Sequence, residues 1–280
     1  MIENQIRLDS VIRRALEEDL GAGDLTTDAI IASDALGKAV LESRERIVLS
    51  GLFVFSRVFT LLSSEIEFDY HYKDGQIIPS GVSICNIAGP LSVILKAERT
   101  ALNFLQRMSG IATQAREFVD KAGTHRVKIL DTRKTAPCLR LMDKYAVRAG
   151  GGFNHRMGLF DGILIKDNHI AAAGSISEAV RLARENSPHT LKIEVEAEDL
   201  AGVEEAVLAG ADVILLDNMS PNEMRAAVNL AAGRVKLEAS GGITMANIEE
   251  IAATGVDYIS IGALTHSVRA VDISLEVVPA

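Results

Sequence analysis

The feature that most constrains this chain is a pattern repeated through its second half. Short apolar runs end in polar residues and are followed by stretches of helical period. The runs are "VKILDTRK" (127–134), "GILIKDNH" (162–169), "LKIEVEAE" (191–198), "DVILLDNM" (212–219), "VKLEASGG" (235–242) and "DYISIGAL" (257–264). Between them lie "SISEAVRLARENS" (175–187), "DLAGVEEAVLAG" (199–210), "SPNEMRAAVNLAAG" (220–233) and "TMANIEEIAATG" (244–255). Gly210, Gly233 and Gly255 stand where helix C-caps belong. The last units recur roughly every 22 residues. Apolar strands alternating with such helices predict βαβ units on a parallel sheet, and six of them predict a barrel or part of one.

The first hundred residues follow another rule. "IRLDSVIRRALEEDLG" (6–21) is an amphipathic helix closed by glycine. "IVLSGLFVFSRVFTLL" (47–62) reads as a strand end, a turn at Gly51 and a buried helix. "AVLESRERIVLSG" (39–51) and "EFDYHYKDGQIIPSGVSICNIAGPLSVILKAER" (67–99) read as strands with turns at Asp74-Gly75 and Ser80-Gly81. "KAERTALNFLQRMSGIATQAREFVDKAG" (96–123) is a long helical stretch with a break at Gly110. The expectation is an α/β protein. An α+β domain covers 1–110 and an α/β-barrel domain covers 111–270, and the tail 271–280 packs back on the first domain.

A chain of 280 residues, 48% of them hydrophobic, buries roughly three quarters of its unfolded surface and needs no staples. Cys85 and Cys138 do not make a disulfide framework, so a reducing cytoplasm is the expected setting. "MIENQIRLDS" lacks the apolar core of a signal peptide. The 47–62 run falls short of the roughly 20 residues that span a bilayer and contains Arg57, so no membrane association is expected. A net charge of −9 argues against nucleic-acid binding. That charge is unevenly spread. Residues 126–166 hold nine Lys and Arg against three Asp, a +6 window inside the −9 chain. A solvated basic face would do this, but these cations sit at strand ends and beside glycines, which favours an anion-binding cleft.

In parallel βα architectures the active site lies at the C-terminal strand ends. Those ends carry Arg133 and Lys134; Lys166, Asn168 and His169; Glu194 and Glu196; Asp217 and Asn218; Glu238, Ser240, Gly241 and Gly242; and Ser260 and Gly262. Glu194 and Glu196 point the same way, with Glu196 nearer the mouth. "ASGGI" (239–243) and "SIGAL" (260–264), the latter with Ser260, Ile261 and Gly262, are small-residue loops on successive strands. Either alone reads as a plain turn; together they suit a phosphate monoester held by backbone N–H groups. Thr132, Arg133, Lys134 and Arg156, with Arg140 in reserve, offer donors and planar forks for carboxylates and phosphates. "RAGGGFNHRMGLFDG" (148–162) is a glycine-rich loop holding His155 and Arg156. His155 and His169 read equally well as ordinary hydrogen-bonded histidines. Glu196 and Asp217 form an acidic wall able to hold hydroxyls, bind Mg²⁺ and stabilise positive charge on a sugar carbon; they read also as salt-bridge partners of Lys134 and Lys166.

Several stretches resemble one family. "EEDLGAGDLTTDAI" (17–30), "ERTALNFLQRMSGIAT" (98–113), "DTRKTAPCLR" (131–140), "KYAVRAGGGFNHRMGLFDGILIKDNH" (144–169), "EVE" (194–196), "LLDNM" (215–219) and "EASGGI" (238–243) are similar, in order and spacing, to the quinolinate phosphoribosyltransferases. These are also called nicotinate-nucleotide pyrophosphorylases (carboxylating). The resemblance implies an N-terminal α+β sandwich domain and an incomplete, open α/β barrel of about seven strands. It implies a homodimer, or a trimer of dimers, with shared active sites. It implies transfer from phosphoribosyl pyrophosphate to quinolinate with Mg²⁺, giving nicotinate mononucleotide, pyrophosphate and CO₂ in NAD synthesis. By motif, Arg99 reaches in from a partner subunit. Arg133, His155, Arg156 and Lys166 take quinolinate. Lys134, Glu196 and Asp217 face the phosphoribosyl pyrophosphate and its metal. Ser240, Gly241, Gly242 and Gly262 hold the 5-phosphate. A paralogue associated with molybdate transport and the nicotinate-specific phosphoribosyltransferases stand as alternatives; arginine density favours the dicarboxylate. A Schiff-base aldolase using Lys134 or Lys166 and a non-catalytic phosphometabolite binder are readings from other classes.

Overall fold

The computed structural model describes residues 5–278, so the first four residues of the polar N-terminal stretch and the last two of the tail lie outside it. In chain order the elements are α1 (Gln5–Leu20), α2 (Leu25–Ile30), β1 (Leu36–Ser43), β2 (Ile47–Val48), α3 (Leu52–Thr60), β3 (Glu67–Tyr70), β4 (Ile77–Ile78), β5 (Val82–Pro90), α4 (Leu91–Ala122), β6 (Lys128–Leu130) and α5 (Arg140–Ala149). They continue with β7 (Ile163–Ile165), α6 (Asp167–Ala173), α7 (Ile176–Asn186), β8 (Ile193–Ala197), α8 (Leu200–Leu208), β9 (Val213–Asp217), α9 (Pro221–Ala231), β10 (Lys236–Ser240), α10 (Ile248–Ala252), β11 (Tyr258–Ser260), α11 (Ala263–His266) and β12 (Ile273–Val278). The chain divides into two units. One is Met1–Gln114 with Ala136–Gly151 and Ser267–Ala280; the other is Ala115–Thr135 with Gly152–His266.

The first unit is built on an antiparallel sheet in the order β12-β1-β5-β3. β12 lies beside β1 with Leu41 opposite Leu275, so the tail, as far as it is described, is a sheet strand. Alternation along β1 buries one face. Over it, Phe55 and Phe59 of α3 meet Phe68 of β3 with ring centroids 6.4 and 5.8 Å apart. A buried phenylalanine contributes roughly 1.5–3 kcal/mol, so this cluster is a main source of the unit's stability. Gly51 (φ +104) opens α3, and Asp74 accepts hydrogen bonds from the N–H groups of Gly51 and Leu52 at 2.9 and 3.2 Å. Asp143, fully buried on α5, receives a bidentate Arg107 at 3.0 and 2.8 Å and the N–H of Ala136 at 3.0 Å.

Two local expectations fail here. Leu91–Leu95 is helix rather than strand: β5 stops at Pro90, and Leu91, Ile94 and Leu95 fall on one helical face. The helix also does not break at Gly110. A Cβ there would collide with the carbonyl oxygen of Arg269, so this glycine permits close approach of the returning chain.

The second unit is the repeating one. Its six strands pair in the order β6-β11-β10-β9-β8-β7, all parallel, and the sheet is not closed. Phe153 adds a single parallel bridge to Leu130 on the outer side of β6. That is what the about-seven-strand expectation comes to: six strands and one bridged residue. Ile193, Val195 and Ala197 of β8 are buried on one face, while Glu194 and Glu196 point to the other. α7 and α8 begin at Ser175 and Asp199, whose side chains accept from the N–H of Glu178 and Gly202 at 3.1 and 2.8 Å. Gly210, Gly233 and Gly255 all have positive φ just past their helices.

Candidate active site

The inner face of the parallel strands opens at their C-terminal ends into a cavity of about 680 Å³, within the usual range for a small-molecule site. Its lining includes Thr132, Arg133 and Lys134 beyond β6; His155 and Arg156 from the loop before β7; and Lys166 after β7. Glu196, Asp217, Glu238, Ser240, Gly241, Gly242 and Ser260 complete the wall, with Leu164, Leu215 and Asn218 between them. A cavity of similar size in the first unit, about 690 Å³, is lined mostly by apolar groups such as Leu36, Pro90 and Val277 and brings no convergent catalytic set together.

The cationic side brings two guanidiniums close together. Burial, and then the neighbouring Arg133 guanidinium, depress the pKa of Arg156 below the ordinary arginine range. One Arg156 amino group donates to the Gly162 carbonyl at 2.8 Å, while its Nε is buried without a partner. Two adjacent guanidinium forks, Arg156 with a buried donor to spare, suit a ligand carrying two carboxylates. Lys134 is held by its backbone: its N–H reaches Thr132 Oγ1 at 3.0 Å and its carbonyl accepts from Thr265 at 2.9 Å.

The acidic side is partly paired. Lys166 Nζ lies 3.1 Å from both oxygens of Glu196, so this lysine belongs to the acidic wall rather than standing apart from it. Asp217 accepts from the Asn218 side chain at 2.8 Å. Asn218 takes a left-handed φ of +55°, and its side chain fills the space in which a Cβ on Gly241 would sit. Gly241 therefore answers a close approach as well as its own φ of +88°.

Beneath these lies a buried group. His155 Nδ1 accepts the Arg156 N–H at 2.7 Å, which leaves the ring proton on Nε2, 2.9 Å from Glu194 Oε2 and 3.8 Å from Glu238 Oε1. Both ring nitrogens are thus committed within the protein. Burial and the negative charge of Glu194 push the Glu238 carboxyl up to about 8.

The remaining expected residues lie elsewhere. Arg99 sits on α4 in the first unit, 61% exposed, and does not line the cavity. Arg140 opens α5 and is likewise no lining residue. Ile261 is buried, its N–H bound to the Leu130 carbonyl at 2.9 Å. Gly262 leaves room for the Lys134 stem, whose Cδ would be 3.1 Å from a Cβ there. Neither lines the cavity. His169 Nδ1 accepts the Lys166 N–H at 2.9 Å, which makes it a helix cap. Glu238 and Asn218 stood among the strand-end residues without a role; their signal was position alone.

Two family models cover most of the chain: the quinolinate phosphoribosyl transferase N-terminal domain matches residues 24–109 and the C-terminal domain matches 111–276. The chain belongs to the quinolinate phosphoribosyl transferase family. It is 45% identical to a probable nicotinate-nucleotide pyrophosphorylase (carboxylating) of Bacillus subtilis, over 98% of this chain and 94% of that protein. It is 41% identical to quinolinate phosphoribosyltransferase (decarboxylating) 1b of Nicotiana tabacum, over 96% of this chain and 82% of that one. Among solved structures, NadC from Streptococcus pyogenes superposes with a TM-score of 0.95 at 44% identity, covering 99% of each chain. Membership in this family agrees with the mixed architecture of an antiparallel N-terminal sheet and an open parallel sheet. Among the described residues no helix is long and apolar enough to cross a membrane.

Proposed function

We propose that this chain transfers the phosphoribosyl group of phosphoribosyl pyrophosphate to quinolinate and releases CO₂, forming nicotinate mononucleotide and pyrophosphate for NAD synthesis. One observation carries the reading: two adjacent guanidiniums, Arg133 and Arg156, line the same cavity as two strand-end carboxylates, in a chain of this family.

Arg133 and Arg156 bind the two carboxylates of quinolinate and hold its ring nitrogen towards the sugar. His155 does not bind through its ring nitrogens; it fixes the floor of the pocket. As pyrophosphate leaves, positive charge grows at the anomeric carbon, and Glu196 and Asp217 stabilise it. Lys134 takes the leaving pyrophosphate. Thr132, Ser240, Gly241 and Gly242, with Ser260 nearby, take the sugar phosphate, and the loop of Ile261 and Gly262 supports them from behind. No protein nucleophile is required. The ring nitrogen becomes quaternary, and the carboxylate beside it can then leave.

Glu196 and Asp217 present hard oxygen donors to one cavity, which fits Mg²⁺, an ion that keeps several waters and binds through one or two carboxylates plus phosphates. Bound there, Mg²⁺ would neutralise charge on the pyrophosphate. Arg99, exposed and outside the cavity, acts in this reading on the site of a second copy in a homodimer, or in a hexamer of such dimers. The two free cysteines fit a cytoplasmic setting.

The purified protein, given quinolinate, phosphoribosyl pyrophosphate and Mg²⁺, is expected to yield nicotinate mononucleotide by mass analysis, and no product would refute the activity. Mixing inactive Arg99→Ala with inactive Arg133→Ala is expected to restore activity in one shared site; no recovery would return Arg99 to its own chain.

A further inference from the structure

We infer that Glu238, held as a carboxylic acid on the cavity floor, is the catalytic acid that protonates the pyridine ring at C2 as its carboxylate departs. This rests on the quinolinate reading above.

Glu238 projects from β10, is 2% exposed and lines the cavity shared by Arg133, Arg156 and Lys166. The groups facing it are Glu194 from β8, His155 from the loop before β7, and Ser260 and its register partner Tyr258 from β11; its partner on β9, Leu215, brings no charge. Glu194 Oε1 and Glu238 Oε1 are both fully buried and lack a donor if both groups are carboxylates. An ionised carboxylate only accepts, whereas a protonated one carries its own donor. One proton on Glu238 therefore satisfies a pair that two negative charges would leave orphaned. Burial, the Glu194 charge and their contact favour that proton, while His155 and Ser260 pull the other way. Among the alternatives, Lys166 is committed to Glu196, and arginines hold their protons too tightly to serve.

The step balances. The bond between ring C2 and its carboxylate breaks, and CO₂ leaves without the bonding pair. The pair stays on C2 beside the quaternary nitrogen and takes the Glu238 proton. Glu238 is left as a carboxylate and regains a proton from water after product departs. General acid catalysis of this kind contributes on the order of 10²-fold or more.

The test is a rapid-quench measurement of pyrophosphate and CO₂ separately, in wild type, Glu238→Gln and Glu238→Asp, with circular dichroism to verify folding. In Glu238→Gln, CO₂ release is expected to fall on the order of 10²-fold more than pyrophosphate release. The nucleotide retaining both carboxylates then accumulates, and Glu238→Asp recovers part of the loss. In wild type, CO₂ release declines as pH rises through about 8, since the active form is the protonated one; this decline is absent from Glu238→Gln. Coupled pyrophosphate and CO₂ rates in the variant, or an unchanged pH decline, would overturn the inference. So would a divalent ion found in dialysed protein and lost with His155→Ala. If Glu238→Gln does not fold, Glu238→Asp carries the test, and equal slowing of both products overturns it. A wild type that makes no pyrophosphate from these substrates instead refutes the functional reading.

Discussion

The two ends of the parallel sheet use the same residue types to opposite effect. At the N-terminal end, Asp212 and Asp257 each stand just before a strand and reach sideways to the next one. Asp212 Oδ2 accepts the N–H of Ile193 at 2.8 Å and Arg184 at 3.1 Å. Asp257 accepts the N–H of Leu237 at 3.0 Å and Lys236 Nζ at 2.6 Å, and raises the pKa of that lysine. These charges are satisfied by the protein itself. At the C-terminal end, Arg156 Nε, Glu194 Oε1 and Glu238 Oε1 are buried without a hydrogen-bond partner. Burial and the Arg133 guanidinium there depress the pKa of Arg156. Saturated charges at the base hold strands in register, and unsaturated ones at the mouth await a ligand.

The largest expected effect breaks this comparison if it goes the wrong way. Arg133→Ala should lower kcat/KM on the order of 10²-fold or more, about 2.7 kcal/mol of transition-state stabilisation. Its thermal midpoint should barely move, because the side chain is exposed. An active, destabilised variant would reverse the assignment. Asp257→Ala should do the opposite. It removes two charge-assisted hydrogen bonds at the base, worth about 1.5–3 kcal/mol together at a partly exposed site. The midpoint should drop by several degrees while kcat/KM of the folded enzyme stays unchanged, as calorimetry and steady-state kinetics would show.

What the sequence revealed of this site was what depends on local pattern. Strand alternation put Glu194 and Glu196 on one face, and Arg133, Lys134, Glu196 and Asp217 were legible because strand ends are marked by the switch from apolar to polar. Gly241 and Gly242 were legible because glycine has few reasons to occur in pairs there. Commitments between side chains distant in sequence were not legible. His155 turns its ring to Arg156 and Glu194, and Lys166 turns to Glu196, by rotamer choices that no periodicity encodes. Gly110 looked like a helix break because its cause, the Arg269 backbone, lies far along the chain. Asp143 counted as one acid in a basic window, yet it is a fully buried anchor for Arg107.

The smallest effect sharpens the comparison most, because it separates position from saturation. Asp199 lies at the mouth end, in the loop from β8 to α8, two residues past Ala197. By position alone it would belong with the site. By partners it does not: its Oδ1 accepts the Gly202 N–H at 2.8 Å, and its extended backbone (φ −149°) is that of an N-cap. Its carboxylate also sits where the helix dipole is positive, so the charge is already met. Asp199→Ala should therefore cost about 1 kcal/mol of stability, as loss of a cap does. Asp199→Asn, which keeps the acceptor, should cost only a fraction of that. Neither should change kcat/KM by more than about twofold, since about 0.4 kcal/mol or less would reach the site. A loss of activity comparable to Arg133→Ala would mean that nearness to the strand ends, and not an unfilled hydrogen-bonding capacity, is what marks a residue here as functional.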